Sequence, residues 1–98
     1  MDKMEIKFIG PKLKFLLKTH HIKQKDLAQK LGLRSTTISS YIRNLIYPSL
    51  PIMIEIANYF NKDLSWFFTP FNEEDKKAVI DIFMNNFDTF IKEYIKEE

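Results

Sequence analysis

Gly32 is one of only two glycines in 98 residues, and it divides two stretches whose apolar positions recur every three or four residues. Before it, Leu27, Ala28 and Leu31 mark the inward face of a helix predicted over residues 24–31; after it, Ile38 and Tyr41 or Ile42 mark that of another over 35–43. Glycine adopts the left-handed conformation that stops a helix with little strain, so the break between them is sharp and short. Ala28 is small where a second helix crosses close above it, and Ile38 fills the space between the two. A turn of three or four residues then holds the helices near a right angle.

The same periodicity recurs along the chain. A helix over residues 9–19 turns Leu13, Leu16 and Leu17 inward, with Pro11 in its first turn, where no backbone donor is required. Residues 50–59 bury Ile52 or Met53, then Ile56, Ala57 and Phe60. Asp63 suits the cap of a short helix over 64–68 that Pro70 ends, and Trp66, Phe67 and Phe68 read as core. Asn72 caps a last helix over residues 73–96, about 36 Å long at 1.5 Å per residue, and Glu73, Glu74 and Asp75 favour its positive end. Met4-Glu5-Ile6-Lys7-Phe8 alternates and reads as a short strand or a helix lead-in. The fold class is all-α, with a domain over residues 1–70 and a C-terminal amphipathic helix over 71–98.

Charge is divided unevenly. Residues 1–50 carry ten Lys or Arg against Asp2, Glu5 and Asp26, or +7; residues 51–98 carry five Lys against ten acids, or −5, which together give the net +2. A basic half facing a polyanion fits this split. The chain has no cysteine, so disulfides and thiolate metal sites are excluded. His20 and His21 lie in a loop without a partner ligand, so no metal is expected. No nucleophile–base pair, paired carboxylates or glycine-rich phosphate loop stands out; neither enzymatic activity nor a cofactor is expected. No apolar run reaches the roughly 18 residues of a membrane span, and the charged N-terminus leads into no apolar signal core. A cytoplasmic location is expected.

Residues 24–43, QKDLAQKLGLRSTTISSYIR, carry a resemblance. With Ile9-Gly10, Leu13, Leu16, Pro48-Ser49, Ile56-Ala57 and Leu64 in register around them, residues 9–68 resemble the Xre/Cro/CI (phage-repressor-like) helix-turn-helix family, whose five-helix, lambda-repressor-like domain binds double-stranded DNA. The resemblance implies that residues 24–31 scaffold a recognition helix over 35–43, which enters the roughly 12 Å major groove. It places Ser35, Thr36 and Ser40 at the bases, and Gln24, Thr37, Arg43 and Asn44 at the DNA backbone. Lys23, Lys25, Arg34 and Arg43 flank this surface, and phosphate contact by at least two of them is expected. Arg34 stands where a Ser or Thr usually caps, so a start one residue later, with Ser35 as the cap, is expected. Asn44 replaces a frequent glycine and tolerates the left-handed backbone needed there. Five Ser or Thr within residues 35–40 are mediocre helix formers, which groove contact explains.

Beyond the family region, Ile80, Phe83, Phe87, Phe90 and Tyr94 follow a three–four spacing, and Met84, Ile91 and Ile95 widen the stripe. Its expected partner is the same helix of a second subunit, with Ile80, Phe83, Phe87, Phe90, Ile91 and Tyr94 at the interface. Such a homodimer presents two recognition helices to a pseudo-palindromic operator. The expected function is a homodimeric repressor occluding promoter DNA. The alternative is an antitoxin, or another protein-interaction module, whose last helix covers a partner protein. Acids outnumber lysines in residues 73–98, which fits an anionic membrane surface poorly.

Overall fold

The computed structural model describes residues 4–85, with side chains as far as Asp81. Among these residues the chain is all helical, with α1 (Ile9–Thr19), α2 (Gln24–Leu31), α3 (Ser35–Ile42), α4 (Leu50–Tyr59) and α5 (Glu73–Asn85). The expected continuation to residue 96 lies outside the described residues. Ile6–Phe8 forms a 3-10 turn, so the alternating N-terminal stretch is a helix lead-in, pinned where the Glu5 N–H donates to Phe68 O at 2.8 Å.

One core joins the helices. Leu13, Leu16 and Leu17 of α1 meet Leu27, Ala28, Ile38, Tyr41, Met53, Ile56, Ala57, Phe60 and Phe67, all buried. The open choices resolve to Tyr41 over Ile42 and Met53 over Ile52. Two expectations are corrected, and one is refined. Leu31 is half-buried, because it ends α2 beside the turn and packs on the rim of the core. The short helix expected over residues 64–68 is present as a 3-10 helix, and Asp63 caps it through its backbone carbonyl, which accepts from Trp66 N–H at 3.0 Å. Five residues before a proline are too few to repay α-helix nucleation, and the tighter turn needs fewer. α3 stops at Ile42, with Arg43 as its C-cap.

The first four helices end by the same device. Each is followed by a residue with a left-handed backbone: His21 (φ 56°), Gly32 (φ 70°), Asn44 (φ 57°) and Asn61 (φ 57°). The next N–H then reaches back to an otherwise unpaired carbonyl, from Ile22 to Leu17 O, Leu33 to Ala28 O, Leu45 to Ser40 O and Lys62 to Ala57 O, at 2.8–2.9 Å. These closures make the chain reverse sharply without long loops.

Two polar fastenings position the elements around α1. At its N-terminus, Gly10 N–H donates to Asn44 Oδ1 at 2.9 Å, while Asn44 Nδ2 donates to Lys7 O at 2.9 Å. The side chain that ends α3 thus satisfies one of the free N–H groups that open α1. Further along, Lys12 is fully buried within the apolar stripe of α1. Its ammonium donates to Trp66 O at 3.1 Å and Pro70 O at 3.3 Å, lies 3.7 Å from Asp75 Oδ2, and sits 4.0 Å from the centroid of the Trp66 ring. Burial draws the Lys12 pKa below its ordinary value, with Lys62 adding to the effect and Asp75 opposing it.

Asp75 also accepts from Trp66 Nε1–H and from Asn72 N–H. Asn72 Oδ1 in turn accepts from Asp75 N–H at 2.7 Å, so Asn72 is the cap of α5 and Asp75 completes a reciprocal capping box. The first turn of α5 is thereby bolted to α1.

Candidate nucleic-acid interface

α3 packs mainly against α2 and α1, and its sequence sorts cleanly between two sides. Ile38 and Tyr41 are buried, whereas Ser35, Thr36 and Arg43 are exposed and Ser39 and Ser40 are half-buried. At 100° per residue, positions 35, 36, 39, 40 and 43 share one outward arc. Ser39 therefore belongs to the hydroxyl row although sequence reasoning did not single it out; its spacing of four from Ser35 and from Arg43 was the available signal. Thr37 is half-buried at the opposite edge of the helix.

The start of α3 corrects the capping expectation. Ser35 is the first helical residue and Arg34 occupies the cap position, with an extended backbone (φ −84°, ψ 149°) and no side-chain cap bond. Its carbonyl accepts from Thr37 N–H at 3.0 Å and Ile38 N–H at 3.3 Å. The Ser35 hydroxyl is consequently not used in capping, and it stays at the surface.

Cations surround this arc. Lys23, Lys25, Arg34 and Arg43 are all exposed, as is Gln24 at the first position of α2. Residues 23–43 contain five cations against one acid, Asp26. α2 opens without a side-chain cap, so its early N–H groups remain directed outward with the positive end of the helix dipole. Asn44 differs from the other site residues, because its side-chain amide is engaged on both sides by Gly10 and Lys7.

The turn at Gly32 is what projects α3. Nothing lies within 4 Å of a Cβ built there, so glycine is required by backbone conformation alone. His20 packs edge-on against Phe60 with centroids 5.1 Å apart, and His21 carries the left-handed turn after α1. Among the described residues, no three His, Cys, Asp or Glu side chains gather as metal ligands, and no helix is long and apolar enough to cross a membrane.

A sharply turned helix pair with an outward hydroxyl-bearing second helix and a cationic surround defines a class, the helix-turn-helix DNA-binding proteins. The family profile described as helix-turn-helix matches residues 13–67. Over 49 residues the chain is 39% identical to an uncharacterised HTH-type transcriptional regulator of Methanocaldococcus jannaschii, an alignment covering 50% of this chain and 74% of the relative. No solved structure matches the chain. The protein belongs to the helix-turn-helix family of the Xre/Cro/CI type, and it is a DNA-binding protein of the transcriptional-regulator class.

Proposed function

We propose that this protein is a homodimeric, sequence-specific repressor that acts by occupying promoter DNA. The observation that carries the reading is the outward face of α3, where Ser35 and Thr36 are exposed between exposed Arg34 and Arg43. Ser35, Thr36 and Ser40 contact base edges, with Ser39 in the same row. Short hydroxyls donate and accept in several geometries, so they read bases through close approach rather than a bidentate code. Gln24, Lys23, Lys25, Arg34, Thr37, Arg43 and the backbone around Asn44 hold phosphates and fix the register.

A second copy, paired through the apolar stripe that starts at Ile80, brings a second recognition helix to the neighbouring half-site. The described part of that stripe supports this: Ile80 is 60% exposed, and its neighbour Val79 45%, so the domain's own core takes up neither. Two linked half-sites convert weak individual contacts into tight occupancy through effective concentration.

Selection from random duplexes supplies the operator, and fluorescence anisotropy over a salt series then tests the roles. Thr36→Ala lowers the preference for operator over random DNA by about 1 kcal/mol, whereas Arg43→Ala weakens both alike and reduces the salt slope by about one. Failure of the selection to enrich any sequence refutes the base-reading role of α3.

A further inference from the structure

We propose that the groove between α1 and the start of α5 receives the C-terminal segment of a second copy of this chain. The inference rests on the homodimer reading above and adds to it the surface and the contacts. The groove has a volume of about 310 Å3 and is lined by Pro11, Lys14, Phe15, Lys18, Phe71 and Val79. Its floor is aromatic, with Phe15 and Phe71 edge-to-face at 5.3 Å between centroids. Val79 and then Ile80 carry the apolar strip outward along α5. Pro11, Lys14, Lys18 and Val79 are exposed, which makes this an open trough suited to a helix rather than an enclosed pocket suited to a small ligand.

The rim states the charge of the occupant. Lys14 and Lys18 stand one helical turn apart on α1, and among the described residues neither belongs to an ion pair. The fitting partner is therefore apolar along one face and acidic beside it. Residues 86–98 supply that chemistry: spacings of three and four put Phe90, Glu93, Tyr94 and Glu97 on one helical face. Glu93 and Glu97 repeat the four-residue interval of Lys14 and Lys18. Docked so, Phe90 and Tyr94 would meet Phe15 and Phe71, and the two glutamates would pair with the two lysines. The division of charge between a basic first half and an acidic second half is then complementary between copies. Because each copy offers one groove and one tail, the contact is made twice and closes the dimer.

Sedimentation equilibrium of the full chain tests this, beside K14E/K18E, E93K/E97K and the variant carrying all four changes. Lys14 and Lys18 are exposed, so thermal melts of the lysine variant are expected to match the wild type. Each double variant is expected to raise the dimer Kd at least about tenfold, and the fourfold variant to return it to within about threefold of wild type. A wild-type dimer that neither double variant weakens overturns the groove while leaving the homodimer reading intact. A wild type that stays monomeric at about 100 μM overturns both. Loss of DNA affinity in K14E/K18E with self-association unchanged assigns the lysines to phosphates and also overturns the proposal.

Discussion

Replacing Gly10 by alanine sets helix propensity against close packing, and the two give opposite signs. Gly10 is the second residue of α1, where propensity alone favours alanine by up to about 1 kcal/mol. The surroundings oppose it. A Cβ on Gly10 falls 2.6 Å from Asn44 Oδ1 and 2.9 Å from Tyr41 O, and nearer still to Ile42 O. Two of these are backbone carbonyls at the end of α3, which cannot swing aside as a side chain would. Relief requires α1 and α3 to separate, straining a core shared by Ile9, Leu13, Ile38 and Tyr41. Overpacking of this kind costs about 1–3 kcal/mol. Separation also breaks the Gly10 N–H bond to Asn44, for about 1 kcal/mol more. After subtracting the propensity gain, Gly10→Ala is expected to destabilise the protein by about 1–3 kcal/mol, or roughly 5–20 °C in Tm. Urea unfolding followed by circular dichroism measures it. Gly32→Ala is the control: it meets no atoms within 4 Å, so only left-handed strain of about 1–2 kcal/mol applies, and Gly32→Asn recovers part of that. A Gly10→Ala protein as stable as wild type, or more so, refutes the close-approach account.

Asn44→Gly keeps the backbone conformation but removes both amide bonds, and about 1–2 kcal/mol of stability is expected to go with them; Asn44→Ala should lose about 1 kcal/mol more, since alanine resists a φ of 57°. Lys12→Met strands Asp75 and two carbonyls and is expected to cost about 3 kcal/mol, while combining it with Asp75→Asn should cost less than the sum by over about 1 kcal/mol; the single tryptophan, Trp66, reports the transition by fluorescence. Burial raises the Tyr41 pKa above its usual 10.0, so the neutral phenol is the form the fold favours. That contribution is complete below pH 10 and lost as pH climbs through the raised value. Tyr41→Phe should match wild type within about 1 kcal/mol at neutral pH and lack this alkaline loss, as alkaline urea titrations would register.

Apolar spacing was enough to locate α1, α2 and α4, because each offers a mainly apolar stripe to a common core. The turn at Gly32 and the cap at Asn72 were legible for a different reason: few residue types fit those backbone conformations. The equivalent turns at His21 and Asn61 were not, since neither residue is restricted to left-handed positions and both also occur in ordinary loops. Lys12 was missed because lysine ordinarily marks a solvated face. Its register nonetheless held a signal, for Ile9, Lys12, Leu13, Leu16 and Leu17 fall on one helical stripe, and a charge inside a stripe demands a buried partner. That partner, Asp75, is 63 positions away, and its acidic neighbours gave it a simpler explanation as a dipole-stabilising residue. On the outward face of α3, the hydroxyl row was visible from composition and register, whereas the engagement of Asn44 with Gly10 and Lys7 depends on a tertiary contact that no local pattern encodes.

The two fastenings give α1 a mechanical position that neither its sequence nor its distance from the hydroxyl row suggests. Its first turn is tied to the end of α3 through Gly10 and Asn44, and two residues later Lys12 holds the start of α5 through Asp75. The first tie is a hydrogen bond of 2.9 Å and the second a buried ion pair of 3.7 Å. A shift of α5 relative to the domain must therefore either break the Lys12 network or carry α1 with it, and a moving α1 drags the carbonyls of Tyr41 and Ile42 against Gly10. In the dimer proposed above, α5 leads to the partner and α3 leads to the DNA, so the separation of the two half-sites is set by this rigid path rather than by loops. Weakening Lys12–Asp75 should then broaden the range of half-site spacings that are bound, even where affinity for a single half-site is unchanged.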